Sequence, residues 1–181
     1  MTLIQMKRQA FLVLGVFLLL AACTSTKPAE MPSLPDTVVY IVRHAEKADA
    51  SPDTPLSTAG MARAEALADK LINEPISRIY ATTLQRTQQT VALLAKAKGV
   101  AIVPLDPNDT DELVRRIKTD DPGQVIVVAG HSNTIPGIIQ ALNGTVVEPI
   151  EEHQFDRIYK VVLSADGTSR VDLLHFGVGT P

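Results

Sequence analysis

The chain has 181 residues, with 17 basic against 20 acidic side chains and a formal net charge of −3. That balance argues against nucleic acid or an anionic lipid surface as a partner. A single cysteine, Cys23, excludes disulfides within the chain and any cysteine-rich zinc site.

Lys7 and Arg8 precede an apolar run over residues 10–22, the basic and apolar regions of a secretory signal. The run is too short for a comfortable membrane span. Leu20-Ala21-Ala22-Cys23 resembles the bacterial lipobox, in which small residues precede a cysteine that is lipidated and becomes the new N-terminus. Residues 1–22 are therefore read as a lipoprotein signal peptide, the alternatives being a plain cleavable signal or an uncleaved anchor. The lipobox resemblance implies attachment to the bacterial cell envelope through lipid on Cys23, and Thr24, where an aspartate would signal inner-membrane retention, implies the outer membrane facing the periplasm. Residues 23–36, rich in Ser, Thr and Pro, read as a flexible tether. Removing the signal leaves 159 residues and a net charge of −5, enough for one domain over residues 37–181 with a real core.

That domain alternates strand and helix. Residues 37–42 are mostly β-branched or aromatic and read as a buried strand delivering Arg43 and His44 at its C-terminal end. A polar loop over 45–55 leads to a helix capped by Ser57 or Thr58, with Met61, Ala64, Leu67, Ala68, Leu71 and Ile72 on its apolar face and Pro75 beyond its end. A short strand over 76–81 precedes a helix capped by Thr82 or Thr83, burying Leu84, Val91, Leu94 and Ala95 and closed by Gly99. A third strand is expected over 100–104 and a helix over 110–118, acidic in its first turn and basic in its last as the helix dipole favours. Residues 124–129 repeat the design of the first strand and deliver Gly130-His131-Ser132. The next helix tolerates Pro136 in its first turn, buries Ile135, Ile138, Ile139 and Leu142, and stops at Gly144. Residues 159–164 and 170–176, joined by Ala165-Asp166-Gly167-Thr168, read as a β-hairpin. The fold expected is α/β: a three-layer sandwich with a largely parallel central sheet and a C-terminal β-hairpin.

In such sheets ligands bind at the C-terminal ends of the strands. If the two histidine-bearing strands are parallel neighbours, His44 and His131 face one crevice. Arg86 joins them from the first turn of a helix, where the dipole disfavours a cation, and Gln89 and Thr90 offer no acidic partner at i+3 or i+4. A cation there makes sense beside a bound anion that also accepts from free backbone amides. Two guanidinium forks suit the oxygens of phosphate, and two imidazoles can divide the work of nucleophile and charge stabiliser.

Val42-Arg43-His44-Ala45-Glu46-Lys47, Leu56-Ser57-Thr58-Ala59-Gly60, Thr83-Leu84-Gln85-Arg86-Thr87-Gln88-Gln89-Thr90 and Gly130-His131-Ser132 resemble, in order, the four signatures of the histidine phosphatase (phosphoglycerate mutase-like) superfamily. The resemblance implies a phosphatase that uses neither cofactor nor metal. His44 would attack phosphorus through Nε2, its Nδ1 hydrogen held by a carbonyl or carboxylate. Arg43, Arg86 and His131 would bind the phosphoryl oxygens, His131 charged or at least donating. Many members carry a glutamate proton donor after the third strand; here Asp106 is the nearest substitute, with Glu46 the other reachable carboxyl. The substrate would be a small phosphorylated molecule or a phosphoprotein. Competing readings are a binding protein for phosphorylated ligands that has lost turnover, and a serine hydrolase suggested by Gly130-His131-Ser132-Asn133-Thr134. The latter lacks the glycine that the sharp turn of a nucleophile elbow needs, since Thr134 stands there.

Overall fold

The structure, a computed structural model, describes residues 34–180. The expected signal peptide, Cys23 with its expected lipid, and most of the expected tether lie outside the described residues. The elements are β1 (Thr37–Arg43), α1 (Thr58–Leu71), β2 (Arg78–Thr82), α2 (Gln85–Lys98), β3 (Ile102–Leu105), α3 (Thr110–Thr119), β4 (Val125–Gly130), α4 (Ile135–Asn143), β5 (Arg157–Leu163) and β6 (Ser169–His175). They form one six-stranded sheet in the order β3-β2-β4-β1-β5-β6. The first four strands of that order are parallel, and β5 and β6 are the antiparallel hairpin added beside β1.

β1 and β4 lie inside the sheet and are covered on both faces, which is why they read as continuous apolar runs rather than alternating ones. Val39, Ile41, Ile126 and Val128 meet Leu113 and Ile117 of α3 and the four isoleucine and leucine side chains of α4. Tyr40, Val42, Val127 and Ala129 point the other way, against Leu67 and Leu71 of α1 and Val91 and Leu94 of α2. The three layers follow from this division. Each fully buried Leu, Ile or Val contributes about 1.5–3 kcal/mol by leaving water, so the sheet is fixed by its centre and the strand ends are free to carry polar groups.

The helix ends follow local chemistry. Ser57 Oγ accepts from Gly60 N at the start of α1, and Asp109 accepts from Glu112 N at the start of α3. Gly99 and Gly144 close α2 and α4 in the left-handed conformation, at φ 65° and 80°.

Several expectations need correction. β2 begins at Arg78 rather than residue 76, and β3 runs Ile102–Leu105 rather than 100–104, because the Val100 amide caps α2 on Ala95 O. The apolar face of α1 is rotated from the expected one: Met61 and Ile72 are 42% and 40% exposed, while Gly60 and Arg63 are buried. Gly60 sets that rotation, since a Cβ there would run into the backbone carbonyl of Glu46. Neither Thr82 nor Thr83 caps α2; Leu84 stands at the N-cap position without a capping side chain, and the Gln85 amide donates instead to Asp53 Oδ1 at 2.8 Å.

Candidate active site

β1 and β4 pair in parallel with Arg43 opposite Gly130, and the His44 amide donates to Gly130 O at 2.9 Å. His44 and His131 therefore leave the sheet side by side at its carboxyl edge, with ring centroids 5.4 Å apart and edges turned to faces. Both rings are buried. The first expectation, that two strand-end histidines face one crevice, holds.

The hydrogen bonds decide what each ring can do. His44 Nδ1 lies 2.7 Å from Ala45 O, and a carbonyl can only accept, so Nδ1 carries the hydrogen and Nε2 keeps its lone pair. Ala45 is held in turn, its amide donating to Thr90 Oγ1 on α2 at 2.9 Å. Burial pushes His44 down to about 3, and the nearby charges of Arg43, His131 and Arg86 add to the effect against the opposing bond to Ala45. At neutral pH the ring is uncharged, with Nε2 bare.

His131 is pulled down to about 4 by burial and by Arg86 and Arg43, so it too is neutral, where a charged or donating ring was expected. Its neighbours fix where the ring's one hydrogen sits. Thr87 Oγ1 lies 2.8 Å from the carbonyls of both Thr82 and Leu84, which take its single hydrogen. Thr82 Oγ1, 2.7 Å from Thr87 Oγ1, must then donate to it, and His131 Nε2 at 3.1 Å must donate to Thr82. His131 thus carries its hydrogen on Nε2.

Arg86 is the second residue of α2, at the helix start as expected. Its NH1 donates to Pro52 O at 2.7 Å, and its buried Nε has no partner. Arg43 is 4% exposed; it is bound to the turn 151–154 through NH1 and NH2, and its buried Nε also lacks a partner. Two guanidinium N–H donors left unpaired in a buried place cost free energy unless something accepts from them. Both belong to arginines whose charge both imidazoles feel.

The two candidate acids are placed differently. Glu46 turns away from the histidines into a bidentate pair with Arg63, at 2.7–3.0 Å, and Arg63 also donates to Val178 O. Asp106 sits exposed at the end of β3, its carboxylate accepting from Asn108 N, and borders a cavity of about 20 Å³ that reaches Thr82 and Gly130. The structure thus brings Arg43, His44, Arg86 and His131 together, places Asp106 at the rim and ties Glu46 to α1. Among the described residues no cluster of His, Cys, Asp and Glu is arranged to hold a metal ion.

Sequence reading missed the supports. The polar run of α2 fastens the site: Gln85 to Asp53, Gln88 to the carbonyls of Ala81 and Thr82, Gln89 to the Leu56 amide, and Thr90 to Ala45. The signal was present, since five Gln and Thr residues crowd positions 85–90, more than a solvated face needs. Glu152 and Phe155, which meet Arg43, carried no such mark.

Residues 39–108 match the profile of the histidine phosphatase superfamily (branch 1). A curated relative in Yersinia pestis (strain Pestoides F), named "Probable phosphoglycerate mutase GpmB", is 35% identical over 72 residues, covering 36% of this chain and 34% of its own. The match therefore spans about a third of that relative's length. The SixA protein of Agrobacterium tumefaciens superposes with a TM-score of 0.60 at 26% identity, covering 78% of this chain and 99% of that one. The protein histidine phosphatase SixA, solved with tungstate, gives 0.64 at 20% identity over 76% and 96%. In its matched segment this chain is similar to the histidine phosphatase superfamily, and its fold is that of the phosphoglycerate mutase-like and SixA neighbours.

Proposed function

We propose that the protein is a metal-independent phosphatase that hydrolyses a phosphomonoester through a phosphohistidine on His44. The observation that carries this reading is the pairing of a neutral His44, whose Nε2 lone pair is left free by the Nδ1 bond to Ala45 O, with the two buried, unpaired Nε–H donors of Arg43 and Arg86. His44 Nε2 attacks phosphorus as the bond to the leaving oxygen breaks, and that oxygen takes a proton from Asp106 or Glu46. Water then attacks phosphorus, giving a proton back to that carboxylate, the P–N bond breaks, and phosphate leaves with His44 neutral again. Arg43 and Arg86 hold the equatorial oxygens, and His131 joins them once the phosphoryl charge draws a proton onto its Nδ1, consistent with phosphoryl transfer asking mainly for positioning and electrostatics. On this reading the substrate is a small phosphorylated molecule or a phosphoprotein.

A second reading, phosphohistidine as substrate, is favoured by one observation. Neither carboxyl touches the histidines: Glu46 is engaged by Arg63 and Asp106 lies exposed at the rim. An imidazole leaving group depends less on a strong general acid than an alkoxide does, and the solved protein named a protein histidine phosphatase shares the fold. Lipid anchoring through Cys23 is a further part of the proposal and rests on Leu20-Ala21-Ala22-Cys23, with Thr24 after it for the outer membrane.

The test is phosphate release from p-nitrophenyl phosphate by purified residues 24–181, beside His44→Ala. Turnover lost in the variant, with acid-labile, alkali-stable phosphate trapped on His44 of the parent, supports the reading. A requirement for added divalent metal, or label on another residue, overturns it.

A further inference from the structure

Arg43 is held by a segment more than a hundred residues away in sequence. Its NH1 donates to the carbonyl oxygens of Glu151 and Glu152, both at 2.9 Å, and of Gln154 at 3.3 Å. Its NH2 donates to Glu152 Oε2 at 2.9 Å, and the Phe155 ring lies 4.2 Å from the guanidinium carbon. The turn that carries these groups is itself tied, the Glu151 amide donating to Gln154 Oε1 and the Gln154 amide to Glu151 O, both at 3.0 Å.

A guanidinium has five N–H hydrogens in one plane. The carbonyls take those of NH1 and Glu152 takes one of NH2. What remains is the Nε–H, buried and unpaired, and the second hydrogen of NH2. Nε and NH2 share one edge of the group, and that edge forms a fork matched to two oxygens of a tetrahedral oxyanion. The partners of Arg43 therefore occupy every donor except the pair an anion needs.

We propose that Glu152, presented by the turn 151–154, is a positioning residue that fixes the Arg43 guanidinium with its free Nε/NH2 edge turned to the phosphoryl group. The inference rests on the phosphatase reading and adds to it the origin of Arg43's orientation. The Glu152 side chain is 86% exposed, and an ion pair at such a rim contributes little to folding. It is nonetheless the main charge opposing the effect of burial on Arg43. Both facts fit a side chain whose contribution is orientation rather than stability. The competing idea is that Glu152 guards Arg43 and must yield before phosphate can bind.

The experiment measures affinity for inorganic phosphate and for vanadate by calorimetry, with turnover beside it, for the parent and for Glu152→Ala, Glu152→Gln, Arg43→Ala and the Glu152→Ala/Arg43→Ala pair. Expected for Glu152→Ala is an unchanged melting temperature, with anion affinity and kcat/KM each falling about tenfold or more, since small misplacements of a catalytic group cost one to two orders of magnitude. Glu152→Gln, which keeps an oxygen for NH2, should recover most of the loss. In the Arg43→Ala background Glu152→Ala should have no further effect. Anion binding that is unchanged or tighter in Glu152→Ala, or a loss that persists without Arg43, overturns the inference and leaves the phosphatase reading standing. A parent that binds phosphate but turns nothing over sinks the phosphatase reading, and the inference is then decided by the binding series alone. A parent that binds neither anion overturns both.

Discussion

The two neutral histidines make a prediction about stability that needs no substrate. An unfolded histidine titrates near 6.5, whereas burial and the arginine charges hold His44 at about 3 and His131 at about 4 in the native protein. Both native values lie below the unfolded one, so the unfolded chain binds more protons across this window. The stabilisation is complete above pH 6.5, declines as pH falls through it, and goes on declining until the native rings protonate, near 4 for His131 and 3 for His44. Between pH 7 and pH 5 each unfolded imidazole gains about three quarters of a proton and the native ones gain almost none, a loss of about 2 kcal/mol per ring and roughly 4 for the pair. Against a typical net stability of about 5–15 kcal/mol that is a large fraction.

Urea unfolding of residues 24–181 at pH 7, 6 and 5 reads this directly when compared with a His44→Asn/His131→Asn variant, whose amides do not titrate. Carboxylate contributions are common to both proteins and cancel in the difference. The parent should lose about 3–4 kcal/mol more than the variant between pH 7 and pH 5. Parallel pH dependences would falsify the neutral-pair assignment, because they would mean that both rings titrate in the native state as they do unfolded.

Four other outcomes are expected. Arg86→Ala should leave the melting temperature unchanged but weaken vanadate binding and kcat/KM by about ten- to a hundredfold, one charge-assisted contact contributing about 1.5–3 kcal/mol; normal vanadate affinity would remove Arg86 from the anion site. Gly60→Ala should destabilise by about 1–3 kcal/mol in urea unfolding, because the new methyl meets the Glu46 carbonyl, and an unchanged midpoint would show that α1 does not dock so closely. Asp106→Asn should cost far more activity on an alkyl phosphate than on p-nitrophenyl phosphate, by about a hundredfold or more; if it and Glu46→Gln both lose equally on the two substrates, neither carboxyl is the acid. Cys23→Ser should shift the full-length protein from membranes to the soluble fraction and remove acyl label, and retention of both would end the lipid-anchor proposal.

How far the sequence could be read depended on the distance over which each feature is decided. The layer order and the meeting of His44 with His131 were legible because continuous apolar strands flanked by amphipathic helices allow few other arrangements, and parallel pairing then puts both strand ends on one edge. Ser57, Gly99 and Gly144 were legible as helix ends because caps are settled within three or four residues. The cap of α2 was not, since its acceptor comes from Asp53, 32 residues away. The buried face of α1 was misjudged because a charged residue, Arg63, is buried by its pairing with Glu46, a partner on the β1–α1 loop rather than on the helix. Helical periodicity places an arginine outside; only the ion pair and the backbone contact at Gly60 explain why it lies inside. The charge state of His131 was beyond reach for the same reason, being set by burial and by arginines from two other elements.

The neutral state of His131 also bears on how the site accepts its ligand. Arg43 is partly offset by Glu152, while Arg86 forms no ion pair among the described residues. Two further positive imidazoles packed 5.4 Å apart beside these arginines would repel one another and the guanidinium groups, and burial gives no solvent to screen them. A phosphoryl dianion reverses the balance. Its charge beside His131 favours the imidazolium, so binding should draw a proton onto Nδ1 while Nε2 keeps its bond to Thr82. His44 cannot respond equally, since a proton on its Nε2 would occupy the lone pair that must meet phosphorus. The asymmetry between the rings is thus built by their partners: a carbonyl beside His44 leaves its Nε2 bare, and a threonine hydroxyl beside His131 holds its Nε2–H and leaves the other nitrogen to take up charge. On the proposed mechanism, the neutral pair expected to make the fold sensitive to acid also lets one histidine serve as nucleophile and the other as a donor called up by the substrate's own charge.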